Sequence, residues 1–396
     1  MDKVIFHVDV NSAYLSWEAI YQMQNMYLDY DLREKVAVVG GDIKKRHGVV
    51  LAKSLGAKKY GIVTGESIFS AVRKYPDLVV VSPHHEAYAR YSEALMSILG
   101  EYTPSVEQYS VDEAYMDMTG TEGIHGDLLQ LAYRLKDRIY EELGFTVNIG
   151  ISSNKLLAKM AGELKKPNLV HTLFENEIKD KLWPLPVGEL FFVGKATEKE
   201  LKLMGINTIG ELALVDKKIL ELHLKKQGTT IHNYANGIDT SEVKKVRSKN
   251  KGYGNAITLP EDIYTLESAK LILLALCETV GSRLRVAKVK ANCISVSIVD
   301  SRFEKKSHQI TLGHSIWGTQ ELYNNACKVF EEVWDGKTKL RQLGVHTTKL
   351  EDDVMHQYSL FETKENNKSD ELDIAIDKIR DKFGEKAIVR AALVNK

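Results

Sequence analysis

The amino-acid sequence predicts a multidomain α+β fold, and three observations lead to this prediction. The chain has 396 residues, which at roughly 100 to 200 residues per domain suffices for about two to four domains. Strand-like and helix-like patterns alternate over residues 3–165, and a second α+β pattern runs from 252 to 350. The segment between them contains short helices around a tight turn. In the first region we expect a mostly antiparallel sheet with helices on one face.

The elements of the first region follow from side-chain periodicity. KVIFHVDV at 3–10 is rich in strand-forming residues, and Asn11 or Ser12 then caps a predicted helix through AYLSWEAIYQMQNMYL. Residues 35–41 and 49–54 indicate a hairpin-like pair, followed by a short basic helix to Tyr60. The remaining predicted strands are LVVVS, SVEQY, AYMDMT and FTVNIGI, and the remaining helices are HHEAYARYSEALMSILGEY, LLQLAYRLKDRIYEEL and the stretch from Ser152 or Ser153 to Lys165.

The rest of the chain divides into three predicted parts. After Lys166-Pro167-Asn168, the pattern L-x-x-x-G-I at 201–206 predicts a helix, a tight turn and a second helix. The second α+β pattern then has helices at 265–284 and 319–335 and strands CISVSIV, SHQITL and RQLGVHTT. The last segment contains QYSLF and an amphipathic helix that carries Leu372, Ile376, Ile379 and Phe383.

Composition excludes several classes of protein. Lys plus Arg and Asp plus Glu each number 54, and only 7 prolines argue against long disordered arms. The three cysteines form no C-x-x-C, so neither a disulfide framework nor a cysteine zinc site is supported and a reducing compartment is favoured. The N-terminus lacks signal-peptide features, and the longest apolar run, 269–277, is too short to span a bilayer. We therefore predict a cytoplasmic protein without a membrane partner.

Charge is unevenly distributed along the chain. Between Lys244 and Ile310, 13 Lys and Arg residues stand against 6 Asp and Glu residues, whereas residues 351–396 hold 11 acids and 8 bases. A basic segment within a neutral protein favours contact with a phosphate backbone. A solvated basic linker is the alternative.

Three carboxylates form the candidate catalytic group. Asp9 is near the end of the first strand, and Asp112 and Glu113 occupy a turn between two later strands. Converging carboxylates repel one another unless cations neutralise them, and oxygen ligands of this kind suit Mg²⁺. Two such ions roughly 4 Å apart support in-line phosphoryl transfer. Acidic residues are common at turns, so the spacing alone leaves an ordinary surface role open.

The motifs FHVDVNSAYLSWE, YSVDEAYMD and GISSNKLLAKMAGELKKPN, in this order, resemble the three active-site motifs of Y-family translesion DNA polymerases. The resemblance covers residues 3–361 and is greatest to the bacterial DinB and UmuC branch. It implies a template-directed DNA polymerase that acts in translesion synthesis and repair, with low fidelity, no proofreading and two Mg²⁺ ions. It also implies a right-hand fold with a palm at 1–10 and 78–166, fingers at 11–77, a helical thumb at 167–241, an α+β little finger at 242–350 and a tail at 351–396.

Active-site roles follow from the resemblance by motif position. Asp9, Asp112 and Glu113 correspond to the metal-binding carboxylates, and the backbone carbonyl of Val10 is a further ligand. Tyr14 lies where the family places an aromatic steric gate against the ribose 2′-hydroxyl. A core position on an amphipathic helix is the alternative for Tyr14.

The nucleotide-binding and thumb residues depart from the family pattern in two places. Lys159 matches the lysine that approaches the incoming triphosphate. In the fingers, Leu55 and Lys58 replace a tyrosine and an arginine, so a point charge replaces a bidentate guanidinium. In the thumb hairpin, Gly194 retains one of two usual glycines and is expected to contact the DNA backbone.

The remaining expectations concern partners: primer-template DNA, dNTP and the sliding clamp (β subunit), with the protein acting as a monomer. The predicted DNA-binding cluster comprises Lys244, Lys245, Arg247, Lys249 and Lys251. QYSLF resembles the short peptides that dock on the sliding clamp, with Gln357, Leu360 and Phe361 as its anchors. The 35 residues after QYSLF have no assigned role.

Two other functions would make different demands on the sequence than a polymerase does. A catalytically silent adaptor between DNA and clamp would be expected to lose acids at the metal positions, whereas this chain retains all three. A palm-domain nucleotide cyclase would need neither the helical segment nor the basic cluster nor QYSLF.

Overall fold

The computed structural model describes residues 3–25, 27–41, 48–245, 249–352 and 364–394, with side chains in the last range from Asp370 onward. Residue contacts group the described chain into two units, of which the first contains the described residues up to Lys245 and the second those from Lys249 onward. Within the described residues, no helix is long and apolar enough to cross a membrane.

The main sheet of the first unit has five strands in the order β5-β6-β1-β7-β8. Its pairs are antiparallel except for the parallel pair β7 and β8. Its strands are β1 (Ile5–Val10), β5 (Val106–Gln108), β6 (Glu113–Asp117), β7 (Val147–Ser152) and β8 (Val170–Thr172). The short strand β8 was not expected from the sequence.

A second, three-stranded sheet has the order β3-β2-β4. The predicted hairpin-like pair is confirmed, since β2 and β3 are antiparallel neighbours. The strands are β2 (Ala37–Gly40), β3 (Val50–Lys53) and β4 (Val79–Val81).

The helices of the first unit fall into two groups. Those connected to the sheets are α1 (Ala13–Gln24), α2 (Leu55–Lys59), α3 (Ile68–Lys74), α4 (His85–Gly100), α5 (Glu122–His125), α6 (Leu128–Leu143) and α7 (Lys155–Glu163). The helical segment that follows has α8 (Lys195–Leu203), α9 (Ile209–Leu214), α10 (Lys217–Leu224) and α11 (Lys226–Ala235). Gly205 has φ of 82° in the tight turn after α8, a conformation that favours glycine.

Helices cover both faces of the five-stranded sheet, so the expectation of one covered face was wrong. Phe6, Val8 and Val10 pack with α1, α4 and α6 in one core. On the opposite face, Ile5 packs with Ala158 of α7. Gly150 of β7 allows α7 to pack this closely on the sheet, because a Cβ at position 150 would lie 1.9 Å from the carbonyl oxygen of Ala158.

The second unit contains a four-stranded antiparallel sheet in the order β11-β10-β12-β9, packed against helices. The strands are β9 (Gly252–Ile263), β10 (Val289–Asp300), β11 (Lys305–Ile316) and β12 (Leu340–Asp352). The helices are α12 (Leu266–Val286), α13 (Thr319–Val333) and α14 (Lys364–Phe383). The predicted elements of this region are present, and β9 precedes them.

The C-terminal helix α14 docks by its polar side. The side chain of Asp373 is buried, where it accepts a hydrogen bond from the backbone N–H of Thr319 at 2.7 Å. Arg285 of α12 pairs with both Asp373 and Asp377. Of the apolar residues that define α14 in the sequence, Leu372, Ile379 and Phe383 are exposed and Ile376 is half-buried.

Candidate active site

The sheet brings the predicted carboxylates together. Asp9 on β1 and Glu113 on β6 are directly opposed residues of an antiparallel pair, so their side chains leave the same face of the sheet. Asp112 is held beside them because its backbone carbonyl accepts a hydrogen bond from the N–H of Val10 at 3.0 Å. The carboxylates of Asp9 and Glu113 are each 14% exposed.

Two lysines and one histidine bind these carboxylates. The Nζ of Lys166 lies 2.5 Å from Oδ2 of Asp9 and 2.8 Å from Glu163. Lys159, on α7, donates to Glu113, and His7 Nε2 lies 2.9 Å from the same carboxylate. The site therefore has cationic partners next to each buried acid.

These surroundings shift the two pKa values in opposite directions. Burial raises the pKa of Asp9, against the opposing effect of Lys166. Burial also acts to raise the pKa of Glu113, but hydrogen bonds from His7 and Lys159 outweigh it and lower that pKa to about 2. Burial lowers the pKa of His7, which favours the neutral ring. Adjacent carboxylates with separated pKa values are characteristic of active sites.

A cleft of about 480 Å³ opens beside Asp9 and Asp112. Its lining includes Asp9, Asp112 and Val10, together with Tyr14 at the start of α1. Exposed Lys58 of α2 also lines the cleft. Other lining residues are Lys53, Ser54, Leu55, Thr64, Lys166 and Pro167. The cleft thus combines carboxylates, lysines and an aromatic ring.

Tyr14 occupies an intermediate position between core and cleft. Its ring stacks on Tyr88 of α4 with centroids 4.9 Å apart and lies 6.1 Å from Trp17. It packs against the cores on both sides of α1 and also lines the cleft. The core and gate interpretations of Tyr14 are therefore compatible.

The carboxylate oxygens fit a divalent metal ion in their chemistry. Asp9, Asp112 and Glu113 offer oxygen donors, and the carbonyl of Val10 lies on the same strand as Asp9. In the described part of the chain, no three His, Cys, Asp or Glu side chains are grouped as a ready metal site. Lys166 and Lys159 instead pair with two of the acids.

Gly194, which was predicted to lie in a thumb hairpin, lines a second cavity, of about 790 Å³. Gly194 precedes α8 in an extended conformation, and a Cβ there would meet nothing within 4 Å. The left-handed conformation in this hairpin belongs instead to Phe192, with φ of 78°. An aromatic residue therefore occupies a backbone position that glycine would adopt with less strain.

The predicted DNA-binding cluster is described in part. Lys244 and Lys245 are exposed, and the backbone N–H of Lys244 donates to Glu107. Lys249 is exposed and pairs with Asp352, and Lys251 is exposed. Arg247 lies outside the described residues, as do Gln357, Leu360 and Phe361 of the predicted clamp motif.

Sequence reasoning missed His7 and Lys166. Both lie inside the quoted motifs, His7 in FHVDV and Lys166 in KKPN. The alternation of β1 was a usable signal for His7, because His7 shares a face with Asp9. No signal distinguished Lys166 from its neighbour Lys165, since only the fold brings one of them to Asp9.

Comparison with known proteins gives consistent matches over three segments. The impB/mucB/samB family matches residues 8–163, its helix-hairpin-helix motif matches 175–206, and its C-terminal domain matches 250–360. DNA polymerase IV of Clostridium acetobutylicum is 46% identical over 100% of this chain and 99% of that protein. DNA polymerase IV 2 of Bacillus subtilis is 36% identical over 99% of this chain and 94% of that protein.

A solved structure, a Y-family DNA polymerase chimera of Dbh and Dpo4, shares the fold with a TM-score of 0.78 at 22% identity. The match covers 88% of this chain and 99% of the chimera. Since relatives named DNA polymerase IV match its whole length, the chain belongs to the impB/mucB/samB family and is a DNA-directed DNA polymerase, with a fold like that of the Y-family chimera.

Proposed function

We propose that this polymerase extends primers on damaged templates by a mechanism that uses two Mg²⁺ ions, with Asp9, Asp112 and Glu113 as the catalytic carboxylates. The observation that carries the proposal is the pairing of Asp9 with Glu113 on adjacent strands, beside Asp112 and at the edge of the 480 Å³ cleft. The carbonyl of Val10 completes the proposed ligand set. Divalent ions held by these oxygens would supply charge stabilisation at the attacking and leaving oxygens of the phosphoryl transfer.

The cleft lysines bind the nucleotide in this proposal. Lys58 faces the cleft from α2, and Lys166 faces it from the turn after α7. Both bring positive charge to a triphosphate, and Lys159 provides a third ammonium from the neighbouring α7. Tyr14 limits the space beside the sugar, so that a 2′-hydroxyl is excluded.

DNA binding is assigned to two separate regions. The thumb hairpin at Gly194 contacts the DNA backbone, and the lysine cluster at 244–251 neutralises phosphates. The exposure of the described lysines supports this role. We further propose that Gln357, Leu360 and Phe361 dock on the sliding clamp, that the protein is a monomer, and that it acts in the cytoplasm.

A catalytically silent adaptor is not supported. Relatives that match the whole chain are named DNA polymerases, and the three acids are retained.

Primer extension with matched variants tests the proposed catalytic group. Asp112→Ala removes one carboxylate from the cleft, and extension in Mg²⁺ should fall by at least a hundredfold while DNA affinity stays within about twofold. Asp137→Ala, an acid on α6 that is 62% exposed, is the control and should extend normally. Substantial extension by folded Asp112→Ala protein would contradict the assignment.

A further inference from the structure

The proposed gate, Tyr14, rests on a second aromatic ring. Tyr14 lies in the first turn of α1, and Tyr88 lies in the first turn of α4. The two rings are stacked, with centroids 4.9 Å apart and planes inclined by 27°. His85 adds an edge contact to Tyr14 at 5.9 Å. The position of the Tyr14 ring is therefore set in large part by a residue from another helix.

The ring of Tyr88 is fixed by a buried carboxylate. Its hydroxyl donates to Oε2 of Glu18 at 2.5 Å, and the side chain of Glu18 is fully buried. Glu18 follows Tyr14 by one helical turn on α1. One short chain of contacts thus leads from Glu18 through Tyr88 back to Tyr14.

Three further groups form hydrogen bonds with the carboxylate of Glu18. The N–H of His84 lies 3.3 Å from Oε2, and Nδ1 of His84 lies 2.9 Å from Oε1. Gln22 donates to Oε1 at 2.5 Å. A buried carboxylate is costly to maintain, and hydrogen bonds to an ionised acceptor are stronger than neutral ones. An apolar side chain would fill this space without such a network, so the network calls for a role beyond filling the core.

We infer that Glu18, Tyr88 and His84 are positioning residues that hold the ring of Tyr14 against the sugar of the incoming nucleotide and so determine sugar selection. The inference rests on the proposed gate role of Tyr14. None of the three needs to touch the nucleotide, and Glu18 has no exposed surface with which to do so.

The ring of Tyr14 has to be held precisely because the 2′-hydroxyl that it excludes is small. A 2′-hydroxyl adds one oxygen atom, so a gate that moves by about 1 Å admits it, and misplacements of that size can change rates by about a hundredfold. The position of the Tyr14 ring is more precisely defined because its neighbour Tyr88 is itself restrained. The ring of Tyr88 is held by stacking, and its hydroxyl is held by a hydrogen bond.

The test compares single insertions of a matched ribonucleotide and deoxyribonucleotide by the full-length protein. The readout is the ratio of kcat/KM for the ribonucleotide to kcat/KM for the deoxyribonucleotide. Tyr14→Ala is the reference for an open gate. Tyr88→Leu removes the stacking ring and should raise the ratio about tenfold, whereas Tyr88→Phe keeps the ring and should raise it about threefold. Glu18→Gln should also raise the ratio about threefold, since a neutral acceptor holds the Tyr88 hydroxyl less strongly.

Tyr91→Phe is the matched control. Tyr91 lies on α4 three residues after Tyr88, and its hydroxyl donates to Gln24 at 2.9 Å. Its ring stacks near Trp17 at 6.5 Å. Removal of this hydroxyl should leave the ratio unchanged.

A purely structural role would lower thermal stability and both rates together, without a change in the ratio. If both Tyr88 variants and Glu18→Gln keep the wild-type ratio while Tyr14→Ala raises it, the gate stands and the positioning role is overturned. If Tyr14→Ala itself keeps the wild-type ratio, the gate proposal fails and the inference fails with it. Tyr88→Phe preserves volume, so it carries the test even if Tyr88→Leu does not fold.

Discussion

Asp9 and Glu113 face each other across β1 and β6, yet their carboxylates bind different lysines. Lys159 on α7 holds Glu113, and Lys166, three residues beyond the end of α7, holds Asp9. One helix and the turn after it thus supply the counter-charge for both acids. The cationic partners occupy the oxygens that the proposed function assigns to metal ions.

Lys166 should therefore compete with divalent ions for Asp9. We expect Lys166→Met to bind Mn²⁺ more tightly in the absence of nucleotide, because no ammonium has to be displaced. A solvent-accessible salt bridge worth about 1 kcal/mol corresponds to about fivefold in affinity. Titration of Mn²⁺ by electron paramagnetic resonance measures the change. Lys202→Met, which removes a surface lysine paired with Glu198, is the control, and weaker binding by Lys166→Met would refute the competition.

The lysine cluster should control the salt dependence of DNA binding. Replacement of Lys244, Lys245 and Lys251 by Gln should flatten the slope of log affinity against log salt by about 0.9 for each duplex phosphate that is no longer neutralised. Lys249 should contribute less than these three, since it already pairs with Asp352. Fluorescence anisotropy at several salt concentrations provides the slopes.

A control for net charge is available on α14. Lys378 and Lys382 are exposed and lie outside the predicted cluster. Their replacement by Gln should leave the slope unchanged. If the two sets of variants behave alike, the cluster is only a solvated linker.

The predicted clamp motif is tested most directly as a peptide. A peptide from Met355 to Thr363 should bind the sliding clamp, with Leu360 and Phe361 filling an apolar pocket. In the full-length protein, replacement of both by Ala should remove clamp-stimulated synthesis and leave clamp-independent extension intact. Binding by the peptide but not by the protein would indicate masking of the motif, and binding by neither would end the hypothesis.

The ion-pair network under α14 should stabilise the second unit. The side chains of Arg285 and Asp373 are 6% and 3% exposed, and Asp373 also binds Arg390. Arg285→Met removes the guanidinium that pairs with Asp377 and one of the two that pair with Asp373, and it should lower the free energy of unfolding by about 3 to 5 kcal/mol. Arg302→Met, at an ion pair whose arginine is 66% exposed, should change it by about 1 kcal/mol or less. Chemical denaturation compares the two, and equal effects would show that burial of the network is unimportant.

The sequence predicts the site well where chemistry is local and less well where it depends on packing. Strand alternation and the turn suffice to predict that Asp9, Asp112 and Glu113 lie near one another, whereas their catalytic role is a proposal. Lys166 and Tyr88 could not be assigned in this way, since their partners lie 157 and 70 residues away in the chain. Periodicity also predicted α14, but not its docking through the buried carboxylate of Asp373, because buried ion pairs leave no periodic signal.

Because β7 and α7 lie so close together, the absence of a side chain at Gly150 affects the electrostatics of the candidate active site. At Gly150 an added Cβ would also lie 2.4 Å from the backbone nitrogen of Gly162, so any other residue forces the helix outward. Lys159 travels with that helix, and the hydrogen bond that lowers the pKa of Glu113 would lengthen with it. Glycine at position 150 therefore helps to keep Glu113 ionised, although Gly150 itself has no charge and no side chain.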